Sequence, residues 1–130
     1  MAAPDSAVAL VRAESAADRA ALHRLYPLYL HDLSEFTDHY ALDEAAHWIP
    51  SYLDDMLARP MCHCLLIRAE GRAAGFALVA TQPFPHMPAD ADAHLAEFFV
   101  ARPYRGHGLG RRAAESTLRA FPGRWSLAVV

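Results

Sequence analysis

Apolar residues change their period several times along the chain, and each change marks an element. Ala7 to Arg12 alternates weakly and reads as a short strand. Ser15-Ala16-Ala17-Asp18 resembles a capping box, with a hydroxyl to accept the first free amide and an acid in the first turn. Leu22, Leu25, Tyr26, Tyr29 and Leu33 follow at helical spacing, and Pro27 predicts a kink or a split. A second helix is predicted from about Asp43 to Arg59, with Ala45, Trp48, Tyr52 and Met56 on one face. Pro50 either bends it or marks its start. Cys62 to Arg68 is a short apolar run, hence a strand. Glu70-Gly71 signals a tight turn and Ala73 to Thr81 the return strand. Gly75 inside that strand predicts a bulge or a close backbone approach.

Pro83, Pro85 and Pro88 make Gln82 to Asp92 a loop, and His94 to Val100 is the next strand. Leu109, Ala113, Thr117, Leu118 and Phe121 mark an amphipathic helix that Pro122-Gly123 stops. Trp125 to Val130 reads as a last strand. The order is β-α-α-β-β-β-α-β, an α/β (α+β) arrangement. Its β-loop-α-β unit makes part of the sheet parallel, with a right-handed crossover.

A length of 130 residues suits one domain, 1–130, with one core. At 54% apolar and 21% charged, the chain has a globular composition. No apolar run is long enough to span a bilayer, and Met1-Ala2-Ala3-Pro4-Asp5 does not begin a signal peptide; a soluble cytoplasmic protein is expected. A net charge of −3 argues against a nucleic-acid binder. Cys62 and Cys64 share a face of one strand, with too few other ligands nearby for zinc, and no metal site is expected. Every basic side chain is arginine. Residues 25–58 carry seven acids and no arginine, whereas Arg102 to Arg124 holds six arginines against Glu115. That division suits a ligand with phosphates at one end and a cationic partner at the other; two solvated faces would give the same pattern.

A strand feeds directly into Arg105-Gly106-His107-Gly108-Leu109-Gly110, which opens a helix. Glycines let the backbone turn sharply and approach a ligand. The first helical amides lack internal partners and carry the positive end of the dipole, so the segment is built to hold phosphate. It lacks the Lys-Ser/Thr of a P-loop, and its third glycine comes one residue early for the dinucleotide fingerprint.

The stretch Glu97-Phe98-Phe99-Val100-Ala101-Arg102-Pro103-Tyr104-Arg105-Gly106-His107-Gly108-Leu109-Gly110 resembles motif A of the GCN5-related N-acetyltransferases. Arg105, Gly108 and Gly110 fill the defined positions of Gln/Arg-x-x-Gly-x-Gly/Ala. Glu70 to Ala77 is similar to the family's second and third strands. The resemblance implies the family fold, with a mixed central sheet flanked by helices, and acetyl-CoA as co-substrate. Amides from His107 to Arg111 would hold the pyrophosphate. Backbone groups of Phe99, Val100 and Ala101 would pair with the pantetheine arm, between His94–Val100 and Trp125–Val130.

It implies direct acetyl transfer to an amine, with Glu97 or His94 as base. The two have opposite parity, so a regular strand would aim only one at the cleft, and a family bulge would change that. The acidic Asp32–Glu44 segment falls where relatives line the acceptor site, which points to a small cationic amine. Relatives continue past the fifth strand with a further helix, which often carries a general-acid tyrosine, and two strands. Ending at Val130, this chain is expected to be a truncated form or to be completed by a second copy as a homodimer. A catalytically impaired acetyl-CoA-binding or dimerisation module is the alternative.

Overall fold

The computed structural model describes residues 8–127. Strands β1 (Val8–Arg12), β4 (Cys62–Ala69), β5 (Arg72–Thr81), β6 (Ala93–Val100) and β7 (Trp125–Leu127) form one sheet in the order β1-β4-β5-β6-β7. Its neighbours are antiparallel except β6 and β7, which run parallel as the crossover through α3 (Leu109–Ala120) requires. Ala7 and Ala128 to Val130 lie outside the described residues.

Helix α1 (Ala16–Leu33) starts where Ser15 Oγ accepts the Asp18 amide at 3.1 Å. Pro27 does not split it. The ring sits on the exposed side, where water can serve the carbonyl it leaves unpaired, while Leu22, Leu25, Tyr26 and Leu30 hold the other side in the core. These residues pack with Leu66, Phe76, Leu78 and Phe99 of the sheet and with Leu53 and Met56 of α2 (Leu53–Ala58). Leu109 and Ala113 of α3 cover the opposite face, against Ile67, Ala74 and Val100. Each fully buried large side chain contributes about 1.5–3 kcal/mol, so this two-sided packing fixes β5 and β6 as the rigid centre.

The predicted helix from Asp43 to Arg59 is not one helix. A short hairpin, β2 (Ala41–Leu42) with β3 (Trp48–Ile49), takes its first half, and only Leu53–Ala58 is helical. Asp43 explains the change. Its Oδ1 accepts the amides of Ala45 and His47, both at 2.9 Å, offering the backbone a turn in place of a helix. Pro50 lies just before the true helix, so its second reading, as a mark of the start, fits better.

Gly75 shows the close approach expected of it. A Cβ there would collide with the Phe99 carbonyl. The β4–β5 register also slips beside it, between Ile67 and Arg68.

Candidate active site

The turn Arg102–Tyr104 links β6 to the glycine segment. Gly106 and Gly108 have φ of 85° and 76°, a region that only glycine enters at little cost. Gly108 caps α3, where the Arg112 N–H donates to the Gly108 carbonyl at 3.1 Å. The amides of Leu109, Gly110 and Arg111 precede it and have no acceptor within the helix. No atom stands within 4 Å of a Cβ built on Gly106. This open cradle of amides fits a pyrophosphate. Leu109 is buried and anchors the loop on Val100, so only its amide can serve a ligand, whereas His107 and Arg111 are exposed. Gly110 stands against Val100.

Arg105 does more than add charge. Its Nε donates to the Val100 carbonyl at 2.6 Å, an Nη donates to Asp32 at 2.7 Å, and its guanidinium lies 5.5 Å from the Phe99 ring centre. Arg102 reaches the same Asp32 at 3.2 Å. The two arginines hold the Asp32 carboxyl below its usual range, Arg105 foremost. Asp32 therefore neutralises the basic loop and ties α1 to it. Glu35, Asp38 and Glu44 of the acidic segment are exposed.

Of the three strand positions expected to pair with a ligand arm, only Val100 faces the right edge. Ala101 N–H donates to Ala74 O at 2.7 Å and Ala101 O accepts from Tyr104 N–H at 2.9 Å. Alternate residues of an antiparallel ladder point their backbone groups to the same side. Phe99 therefore pairs with β5, while Phe98 and Val100 turn their groups to the other edge. Among the described residues, β7 pairs with Ala93, His94 and Leu95.

The β5–β6 register shifts between Leu78 and Val79: Leu78 stands opposite Glu97, Val79 opposite Leu95, and Ala96 is extra. This bulge brings Glu97 and His94 to one face despite their opposite parity, since their partners Leu78 and Ala80 are two apart. Glu97 is 8% exposed, and burial pushes its carboxyl up from an ordinary 4.5 to about 7, against a hydrogen bond from Tyr26 Oη to Oε1 at 2.9 Å. Glu97 Oε2 is buried without a hydrogen-bond partner among the described residues. His94 is also buried. Its Nδ1 lies 2.7 Å from Ser126 Oγ, its ring stacks on Phe84, and burial lowers its pKa, favouring the neutral ring. His94 thus joins β6 to β7, whereas Glu97 is bonded to α1 through Tyr26.

Tyr26 was legible only as a core position of α1. A buried tyrosine needs a partner for its hydroxyl, which is the signal that could have found it. Cys62 and Cys64 are free thiols, and burial pushes Cys64 up to about 12, as suits a small apolar residue.

A profile of the acetyltransferase (GNAT) family matches residues 16–129. The chain belongs to that family. Solved structures agree on the fold. An acetyltransferase from Thermus thermophilus superimposes with a TM-score of 0.65 at 18% identity, over 94% of this chain and 75% of that one. A GNAT family acetyltransferase from Staphylococcus aureus gives 0.61 at 17%, over 95% and 87%. An aminoglycoside acetyltransferase from an uncultured soil metagenomic sample, solved with sisomicin, gives 0.60 at 10%, over 98% and 81%. No curated protein matches the sequence. As a GNAT acetyltransferase, the chain has an acyl-transfer fold whose sheet carries Glu97 and whose glycine loop opens α3. Among its described residues, no helix is long and apolar enough to cross a membrane.

Proposed function

We propose that the chain is an acetyl-CoA-dependent N-acetyltransferase, a single cytoplasmic domain that acetylates the primary amine of a small cationic molecule. The observation that carries this reading is Glu97, a buried carboxylate with one oxygen unpartnered among the described residues and a pKa pushed up to about 7, on the bulged strand that leads to the glycine cradle. A base works best when its pKa lies near the working pH. Acetyl-CoA supplies the acetyl group activated as a thioester. Glu97 takes a proton from the ammonium, and the freed nitrogen lone pair attacks the acyl carbon. The C–N bond forms as the C–S bond breaks, the electron pair leaves on sulfur, and the surplus proton on the acylated nitrogen passes to that thiolate, leaving the amide and the coenzyme A thiol. The amides of Leu109, Gly110 and Arg111 hold the pyrophosphate, and the edge groups of Phe98 and the amide of Val100, whose carbonyl already accepts from Arg105, receive the pantetheine arm.

Two features support a cationic acceptor. Exposed Glu35, Asp38 and Glu44 follow α1 without an arginine or lysine between them. A cleft of about 270 Å³ between α1 and the hairpin is walled by Trp48, which offers an aromatic face, and by Asp54, whose Oδ1 lies 2.7 Å from His23 Nε2 and whose side chain is otherwise exposed. Thiol release from acetyl-CoA, measured over a panel of polyamines, aminoglycosides and neutral amines, tests the proposal. Cationic primary amines should be preferred. Equal rates with neutral acceptors would remove the charge argument, and binding without turnover would favour an impaired module.

A further inference from the structure

We infer that Tyr26 is the positioning residue of this site: its hydroxyl fixes Glu97 Oε1 and so leaves Oε2 as the oxygen that receives the amine proton. The inference rests on Glu97 being the base proposed above.

The two side chains meet across 71 positions of sequence, at 2.9 Å, with Tyr26 2% and Glu97 8% exposed. The Tyr26 ring cannot swing. It packs 5.7 Å from Phe76 and 5.8 Å from Tyr29, centre to centre. Glu97 is buried beside it, on the strand bulged at Ala96. One carboxylate oxygen is thus held by a donor that cannot leave, while the other is buried without a hydrogen-bond partner among the described residues.

The groups that face Glu97 come from three places: Tyr26 and Tyr29 on α1, Tyr40 in the segment before β2, and Cys64 on β4. Burial raises the pKa of all four, so each is uncharged at neutral pH. Tyr26 is the one that donates a hydrogen bond to the carboxylate, and that bond favours the charged form. Tyr26 keeps its own proton throughout. The proton moves from the ammonium nitrogen to Oε2, the N–H pair stays on nitrogen, and the Tyr26 O–H bond neither forms nor breaks.

The test needs no knowledge of the acceptor. The side-chain carboxyl carbon of Glu97 is titrated by NMR in the wild type and in Tyr26→Phe, with Glu97→Gln assigning the signal. Loss of the donor should move the midpoint up by roughly one pH unit. A folded Tyr26→Phe protein with an unmoved midpoint would overturn the inference, because a merely structural tyrosine changes the melting temperature and not the titration. If Tyr26→Phe does not fold, the wild type decides: the Tyr26 ring carbon next to the hydroxyl must titrate with the Glu97 midpoint, and a flat response overturns the inference. The amine panel with Glu97→Gln separates the two proposals. Full activity in that variant would defeat the base while leaving the Tyr26–Glu97 coupling to the titration.

Discussion

His94 and Glu97 lie three positions apart on one strand yet face the same side of the sheet, because Ala96 is bulged between them. Their environments then divide them. Ser126 lies against the His94 ring, while Glu97 keeps an oxygen without a partner among the described residues. Glu97→Gln should lower kcat by roughly 100- to 10,000-fold, the span of one general base. His94→Ala should mainly cost stability, about 1 kcal/mol for the lost bond to Ser126, and leave the acidic limb of the pH–rate profile in place. Steady-state kinetics from pH 5.5 to 8.5 checks both.

The buried carboxyl also makes a stability prediction. The folded pKa of Glu97 lies above its unfolded value, so the native state binds more protons between about 4.5 and 7. Stability should therefore fall as pH rises through that window. Glu97→Gln should remove the slope and be the more stable protein at pH 8, by on the order of 1–3 kcal/mol. Urea unfolding at pH 5 and pH 8 measures it.

Gly75 leaves no room for a Cβ against the Phe99 carbonyl. Gly75→Ala should destabilise by about 2 kcal/mol or more, because neither strand can retreat without opening the ladder. It should also weaken catalysis beyond the stability loss, since β6 carries Glu97. Chemical denaturation and kinetics of the folded fraction test this.

Arg105 and Asp32 are separable. Both Arg105→Ala and Asp32→Asn cut the tie between α1 and the loop, and each should cost about 1 kcal/mol, since the pair is partly exposed. Only Arg105→Ala should also weaken coenzyme A binding, by roughly tenfold, if its guanidinium supports the pyrophosphate. Calorimetry with coenzyme A distinguishes them.

The sheet and α3 were readable because their signals are local: alternation in β4 and β5, the turn at Glu70-Gly71, glycines before α3. The hairpin was hidden because Ala45, Trp48, Tyr52 and Met56 happen to recur at helical spacing, while the deciding event is one Asp43 side chain capturing two amides. Glu97 stood out by its place three residues before Val100. Its partner Tyr26 and the clamp of Asp32 on Arg105 did not, because each joins residues about 70 positions apart, which no pattern within one element reveals.

The most direct measurement is amine-dependent thiol release from acetyl-CoA as a function of pH, for the wild type and Glu97→Gln. The account predicts release with cationic primary amines that falls below about pH 7 as Glu97 takes up its proton, and a Glu97→Gln variant that binds acetyl-CoA but lacks both the rate and that limb. Wild-type activity in Glu97→Gln with an unchanged limb, or acetyl-CoA binding with no release to any amine, would contradict it.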